Sequence, residues 1–454
     1  MGDAFIMQKK SLLALLLALT VLLSGCALVT VDTAKDNARV IVDVNGETVT
    51  KAVIHAAVDN QVSANEYYNQ LYSSYYGVSD LYSTDEATIT AQVIDTYVNQ
   101  LASLQKAKEL GLYELTEEEQ AEVDTNGKTN YDSFIQSVIS TYIPGSTLEG
   151  DELTAAAEKY VAEHDVATVD GRSTLADFVA AAADEKALSK LSDYIIKDVA
   201  VTDDEIKADF DAKVESAKAS YEADPNAYGT AVNAGSAVYY APAGYRMVKQ
   251  ILVKVSDEDS AVTTEKQTAL AAAQTALTEA QTALDSAAED ADKAALQAAV
   301  DEAQKAVDAA QAAYDEAKAT GMANAKAKAD EIYTQLTAEG ADFEALLADN
   351  NGDTAQPATG YAVREGFTSF VEAFTNAAMA LQNVGDVSEP VESTYGYHII
   401  KYVSAVEEGP VDLETVKDGI SSALLTAKQN EVSTATIAQY VSEANVKTYP
   451  ERMN

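Results

Sequence analysis

The sequence predicts an α+β protein, with a mainly helical N-terminal lobe and a second region in which short strands carry an inserted helical hairpin. Apolar residues recur at helical spacing from about residue 50 to 240. An Ala-rich heptad pattern follows between 264 and 320, and strand-like segments flank it at 247–255 and 396–400. A chain of 454 residues is also too long for one ordinary core, so we expect two or three domains.

The chain begins with the features of an export signal. Lys9-Lys10 precede an apolar run over 12–23, which ends in Leu23-Ser24-Gly25-Cys26 and is shorter than the roughly 20 apolar residues that span a bilayer. We predict a signal peptide over 1–25 and a tether over 26–37; an uncleaved signal anchor is the alternative. The four residues that end at Cys26 resemble the bacterial lipobox, which implies lipidation of Cys26 and attachment to a lipid membrane.

Composition excludes several classes of function. A formal net charge of −42 argues against nucleic-acid binding, which requires clustered Lys and Arg. Because Cys26 is the only cysteine, the chain has no internal disulfide. No motif for a metal site, a phosphate loop or a nucleophile elbow is present, so we expect neither a metal nor a cofactor. The oligomeric state is left open.

The N-terminal lobe begins with a predicted β-hairpin and continues as helices. Valines alternate over 40–44 up to the turn pair Asn45-Gly46, and the extended pattern resumes over 47–50. The apolar spacing then becomes helical until about residue 240. Two pairs have capping-box spacing and predict helix starts: Thr116 with Glu119, and Thr202 with Glu205.

A tyrosine-rich run in this lobe has two interpretations. Tyrosine presents an apolar ring with a polar tip, so the run could hold unfolded polypeptides, or its rings could pack inside the lobe. The run consists of Tyr67, Tyr68, Tyr72, Tyr75 and Tyr76.

The Ala-rich segment predicts an antiparallel helical hairpin, inserted over 259–321. Small and apolar residues recur at three-four spacing in two stretches that the acidic run 289–292 separates. A disordered low-complexity linker is the alternative. The predicted seam positions are Leu270, Ala273, Leu277, Ala280, Leu284 and Ala287, then Leu296, Val300, Ala303, Val307, Ala310, Tyr314 and Ala317.

The C-terminal region predicts a further helix over about 411–445, with Leu413, Val416, Ile420 and Leu424 on one face. Such a face requires a partner surface, so we expect this helix to dock on another part of the protein. Gly419 lies within the predicted helix and costs about 1 kcal/mol relative to Ala.

Several motifs together resemble the parvulin family of peptidyl-prolyl isomerases. The strand-like segment 247–255 is followed, after the hairpin, by Gly360-Tyr361, by Gly-Asp-Val-Ser-Glu-Pro-Val over 385–391 and by Gly-Tyr-His-Ile-Ile over 396–400. The resemblance implies an antiparallel four-stranded sheet with surrounding helices over 244–404. With the N-terminal lobe over 38–243, the chain resembles the PrsA-type foldase lipoproteins and the SurA-like chaperones. This resemblance implies that the segment 405–454 packs back on the N-terminal lobe.

The resemblance also implies a site. It assigns Phe370 and Phe374 to the walls of a proline pocket, and Asp353, His398 and Ser393 to its polar network. Gln250 stands where the family has a first-strand histidine; Gln donates and accepts hydrogen bonds but does not titrate. Without the resemblance, the phenylalanines are also compatible with ordinary core residues, and His398 with a satisfied core histidine.

We therefore expect a lipid-anchored foldase on the extracytoplasmic face of the cell membrane. It would catalyse cis-trans isomerisation of X-Pro bonds in unfolded or newly exported proteins. The alternative is a non-catalytic holdase with a decayed parvulin domain, which Gln250 keeps open. A purely structural surface lipoprotein leaves the parvulin motifs unexplained.

Overall fold

The computed structural model describes residues 29–30, 36–288 and 292–453. The predicted signal peptide, Cys26 and most of the predicted tether therefore lie outside the described residues. Within those residues, no helix is both long enough and apolar enough to cross a membrane.

The described chain is mainly helical, with short strands. The α-helices, in chain order, are α1 Lys51–Tyr76, α2 Glu86–Glu109, α3 Glu117–Tyr142, α4 Gly150–His164, α5 Leu175–Ile196, α6 Asp203–Ala223, α7 Ala227–Asn233, α8 Asp257–Asp285, α9 Lys293–Leu336, α10 Phe343–Asn350, α11 Glu372–Ala380 and α12 Lys417–Glu443. The strands are β1 Val29–Thr30, β2 Val40–Val44, β3 Glu47–Thr50, β4 Val166–Ala167, β5 Tyr240–Ala241, β6 Tyr245–Val253, β7 Tyr361–Arg364, β8 Val391–Ser393, β9 Gly396–Ala405, β10 Gly409–Pro410 and β11 Val446–Thr448.

The chain divides into two compact units. One comprises residues up to Val201 together with Ser422–Asn454, and the other comprises Thr202–Ser421. The domain bounds drawn from the sequence, at 243–244 and 404–405, stay a prediction.

The first unit contains a small sheet to which both ends of the described chain contribute. Its strand order is β11-β2-β3, with β2 and β3 joined at Asn45 and Gly46, which both have positive φ, at 52° and 94°. This pair therefore forms the tight turn that the sequence predicts. Its apolar face packs on α1 and α2 through fully buried Ile41 and Ile54, and residues 440–446 pack against the same core.

Helix caps in this unit follow the sequence closely. Thr116 and Glu119 form a reciprocal capping box at the start of α3. Helix α3 then packs on α5 at an unusually close approach, where an added Cβ on Gly127 would lie 2.6 Å from the Cα of Val179. Gly127 therefore permits this contact, because any larger residue would separate the two helices.

The second unit is built on a four-stranded antiparallel sheet with the order β7-β6-β9-β8. One face packs on α9 and α10, with Ile251, Ile399 and Ile332 in the core. The opposite face packs on α11 through Val248, Ile400 and Phe374. Side chains alternate between the two faces along β6 and β9, so both strands are buried on both sides.

Helices α8 and α9 form the predicted hairpin between β6 and β7. Every predicted seam position in its outer part, from Ala273 to Ala317, is half-buried, while the positions between them are mostly exposed. Beyond Leu270 and before Gly321, no described residue of the two helices is fully buried. The seam therefore joins two helices and contributes little to the core. The predicted α+β class with an inserted helical hairpin is confirmed, and the disordered-linker alternative is wrong.

We predict that Gly127→Ala destabilises the protein. Ala gains about 1 kcal/mol of helix propensity, but the new Cβ meets backbone at 2.6 Å, and overpacking of this kind costs about 1–3 kcal/mol or more. Urea unfolding followed by circular dichroism measures the change. The matched control is Gly419→Ala in α12, where nothing lies within 4 Å of an added Cβ. It should raise the free energy of unfolding by about 0.5–1 kcal/mol, and an equal gain in both variants would contradict the close approach.

Candidate functional site

The site is organised by the register of three adjacent strands. In the β6-β9 pair, Leu252 lies opposite His398, and Gln250 lies opposite Ile400. In the β8-β9 pair, Ser393 lies opposite Gly396. Gln250 and Ser393 are therefore both diagonal neighbours of His398, and all three side chains lie on one face.

A loop completes the edge of β6 where β7 ends. Strand β7 pairs with β6 only as far as Val248. Beyond that point the backbone N–H of Gln250 donates to the side chain of Gln356 at 2.8 Å, and that of Leu252 donates to the side chain of Asn351 at 2.9 Å. The loop thus takes the place of a paired strand along this part of β6, and it brings Asp353 beside Gln250.

Four polar side chains form a continuous series of hydrogen bonds, which we call the polar chain. The Gln250 amide donates through Nε2 to Asp353 Oδ2 at 2.7 Å. His398 Nδ1 donates to Gln250 Oε1 at 2.5 Å, and Ser393 Oγ donates to His398 Nε2 at 2.6 Å. The sequence-predicted residues Asp353, Gln250, His398 and Ser393 therefore meet in one network.

The direction of these bonds follows from the acceptor at one end. An ionised Asp353 only accepts, so the Gln250 NH₂ must face it and the Gln250 carbonyl must face the imidazole. That carbonyl requires a proton on Nδ1 of His398, which leaves Nε2 as the acceptor for the Ser393 hydroxyl. A histidine at position 250 could change its tautomer or charge; Gln250 holds a single arrangement.

Burial keeps the imidazole neutral. His398 is 4% exposed, and desolvation lowers its pKa from 6.5 to about 4, although the charge of Asp353 opposes this shift. The intervening Gln250 amide is neutral, so Asp353 acts on the ring only across a distance. The site therefore presents an uncharged imidazole at neutral pH.

Aromatic rings border the polar chain. The ring of Phe374 lies edge-on to His398 with a centroid distance of 5.4 Å, and Phe370 contacts Phe374 at 5.2 Å. Phe374 is buried whereas Phe370 is half-buried, so Phe370 is the more accessible of the two. The arrangement is an apolar wall beside a fixed polar network, with Asp353 and Ser393 partly accessible.

The turn between β8 and β9 requires glycine. Gly396 has a φ of +124°, and an added Cβ would lie 2.2 Å from the carbonyl oxygen of Val253. A side chain there would push β9 away from β6. Gly396 thereby keeps Ser393 and His398 within reach of each other.

Three residues of the site were not assigned a role from the sequence. The Tyr361 hydroxyl donates to Asp353 Oδ2 at 2.9 Å, and burial raises the pKa of Tyr361. The Asn351 side chain also accepts from the backbone N–H of Asp353 at 3.0 Å, and Gln356 bonds to β6 as described. Tyr361 belongs to the motif Gly360-Tyr361, which is the signal that could have assigned it to the site; Asn351 and Gln356 lie in a loop without periodicity.

Metal binding finds no support among the described residues, which contain no group of three or more His, Cys, Asp or Glu side chains placed to hold an ion.

Comparison with family models finds a match within the second unit. Residues 310–404 match the family described as "Rotamase: PPIC-type PPIASE domain". The match begins near the end of the hairpin, so β6 and Gln250 lie outside it, although β6 is hydrogen-bonded within the same sheet. The chain therefore carries a parvulin-type domain interrupted by the helical hairpin.

Two curated relatives match part of the chain. The foldase protein PrsA of Caldanaerobacter subterraneus subsp. tengcongensis is 35% identical over 126 residues, which is 28% of this chain and 40% of that protein. Foldase protein PrsA 1 of Listeria monocytogenes is 34% identical over 127 residues, covering 28% and 42%. The alignments thus span about two-fifths of the length of these relatives.

Solved structures that match this chain include PrsA from Bacillus subtilis. It is 17% identical, with a TM-score of 0.21, and the alignment covers 90% of this chain and 91% of that chain. A structure described among the SurA-like chaperones of Campylobacter jejuni is 15% identical with a TM-score of 0.26, covering 70% and 95%.

We predict that His398 stays neutral to about pH 4, with the proton on Nδ1 at pH 7. Nitrogen-15 chemical shifts of labelled histidine measure both properties, and the His398→Gln variant assigns the signal. The unfolded chain takes up this proton near pH 6.5, whereas the folded chain does so only near pH 4. The free energy of unfolding should therefore decrease by about 3 kcal/mol as the pH falls from 6.5 to about 4. Titration near pH 6.5 in the folded protein would contradict the burial argument.

Proposed function

We propose that the second unit catalyses cis-trans rotation about X-Pro peptide bonds, and that the whole chain is a foldase for exported proteins. The observation that carries the proposal is the polar chain of Asp353, Gln250, His398 and Ser393 beside the aromatic wall of Phe370 and Phe374. The match to the PPIC-type family and the foldase names of the relatives support it.

The reaction suits such a site because no bond is broken. Rotation must overcome a barrier of about 18–20 kcal/mol that comes from amide conjugation. In this proposal the proline ring packs on Phe370 and Phe374, while the polar chain stays fixed as the carbonyl turns past it. A fixed network stabilises the twisted amide without reorganising, which lowers the barrier.

Gln250 also supports a second candidate, a holdase without isomerase activity. A neutral amide in place of a histidine removes the titratable pair that the family resemblance implies. The polar chain would then serve to satisfy buried groups on the sheet, and clients would be held without rotation of their proline bonds.

We predict that the protein, without residues through Cys26, accelerates cis-trans exchange in short X-Pro peptides. Asp353→Ala and Phe374→Ala should each lower the acceleration about tenfold or more, since one removes the acceptor that orients Gln250 and the other removes the ring wall. Exchange spectroscopy by NMR measures the rate for acidic, basic and apolar X.

The control is Val384→Ala, at an exposed position of the same unit, which should leave the rate unchanged. Circular dichroism confirms that each variant is folded. A folded wild-type protein that accelerates none of the peptides would remove the isomerase and leave the holdase.

The proposed location follows from the N-terminal motif. With Cys26 lipidated, the protein would be anchored on the extracytoplasmic face of the cell membrane, where newly exported proteins emerge. We predict that cells labelled with radioactive palmitate incorporate it into the wild-type protein and that Cys26→Ala abolishes the label. Retained label in Cys26→Ala would contradict the anchor.

A further inference from the structure

An exposed aromatic surface lies at the end of α1, far along the chain from the candidate site. Helix α1 buries Lys51, Ile54 and Val58 near its start, and none of its later residues is buried. At 1.5 Å per residue, the 18 residues after Val58 extend about 27 Å. Six rings line this part of the helix and the segment after it: Tyr67, Tyr68, Tyr72, Tyr75, Tyr76 and Tyr82, which we call the tyrosine patch.

The tyrosine patch does not pack inside the lobe. Tyr75, Tyr76 and Tyr67 are 76%, 74% and 62% exposed. Seven of the fourteen large apolar side chains that are exposed among the described residues lie between Tyr67 and Tyr82. Of the two interpretations drawn from the sequence, interior packing is therefore wrong for these three rings. An exposed aromatic concentration of this kind marks an interaction surface.

The patch is held together by its own local contacts. The chain turns at Gly77 and folds back so that the Asn69 side chain bonds both the N–H and the carbonyl of Tyr82, each at 2.8 Å. Asn65 likewise donates to the carbonyl of Ser83 at 2.7 Å. These bonds bring Tyr82 within 5.9 Å of Tyr68 and 6.3 Å of Tyr72, measured between ring centroids. The rings of the tyrosine patch are thus held next to one another by these bonds.

The sequence around the tyrosine patch carries acidic residues but no lysine or arginine. No Lys or Arg occurs between Lys51 and Lys106, whereas six carboxylates lie in that interval, including Glu66 and Asp80 beside the rings. By contrast, the exposed tyrosine Tyr194 receives a cation of the chain itself, since Lys197 Nζ lies 4.2 Å from its ring centroid. The tyrosine patch offers ring faces and negative potential with no lysine or arginine nearby in sequence.

We propose that the tyrosine patch binds polypeptide segments in which Arg or Lys lies next to aromatic or large aliphatic residues. Cations are attracted by both the ring faces and the carboxylates, and apolar side chains pack on the exposed rings. An anionic surface is repelled by the same carboxylates, so the charge of the patch selects basic segments. This inference rests on the proposed foldase function only in taking polypeptides as the ligands, and it requires no proline.

The test uses the full chain in nanodiscs of zwitterionic phosphatidylcholine, with calorimetry as the readout. The probe is a proline-free peptide of about twelve residues in which Arg alternates with Phe and Ser, and a matched peptide carries Glu in place of Arg. We expect the Arg peptide to bind about tenfold or more tightly than the Glu peptide. Raising the salt from about 50 to about 500 mM should weaken the Arg peptide severalfold, because surface charges are screened.

Two variants separate the rings from the charges. The triple variant Tyr67→Ser, Tyr75→Ser, Tyr76→Ser should weaken the Arg peptide about fivefold or more and keep its fold, since these side chains are exposed. Glu66→Gln with Asp80→Asn should reduce the salt dependence. Asn is suited to position 80, where φ is +57°. The matched control is Tyr194→Ser, an exposed tyrosine of the same unit, which should bind as the wild type does.

Equal binding of the Arg and Glu peptides, or wild-type binding by the folded triple variant, would overturn the proposal. Exchange rates of X-Pro peptides, measured on the same variants, are expected to be unchanged. A wild-type protein without isomerase activity would therefore count against the proposed function but not against the tyrosine patch. A failure of the Arg peptide to bind would count against the tyrosine patch but not against the isomerase.

Discussion

The hydrogen bonding of strand β6 is the constraint on which the second unit depends. One edge of β6 is bonded along its length to β9, while its other edge is bonded first to β7 and then to the side chains of Gln356 and Asn351. These bonds satisfy backbone N–H groups of a strand that is buried on both faces, where unpaired groups are costly. The same bonds hold Gln250 between Asp353 and His398, so the fold and the candidate site share one set of contacts.

The helical hairpin follows β6 directly without disturbing this sheet. Its outer seam contains half-buried alanines, leucines and valines, so most of its stability comes from the contact of its two helices with each other. Only the base of the hairpin enters the core, through Ala325, Ala329 and Ile332. A long insertion of this kind costs little loop-closure entropy, since the two helices return the chain to its starting point. This also explains why the family match begins within α9.

Gln250 gives the polar chain a different character from a pair of histidines. Its amide has a donor and an acceptor in fixed places, and Asp353 determines which is which. The result is a network with one orientation and a neutral imidazole, since burial lowers the pKa of His398 to about 4. Such a network fits a reaction that rotates an amide without transferring a proton, and it equally fits a structural role on the sheet. The distinction lies in rates rather than in geometry.

The sequence by itself determined the class of fold, the tight turn at Asn45-Gly46, the capping box of Thr116 and the seam of the hairpin. These are local properties, set by side-chain period and backbone preference over a few residues. It also named all six candidate site residues, although through family resemblance rather than through spacing. Only the tertiary structure decided that Asn351 and Gln356 complete the edge of β6, that Gly127 permits the approach of α3 to α5, and that Tyr67, Tyr75 and Tyr76 face solvent. Each of these depends on a neighbour distant in sequence, or on the absence of one, and no local pattern encodes it.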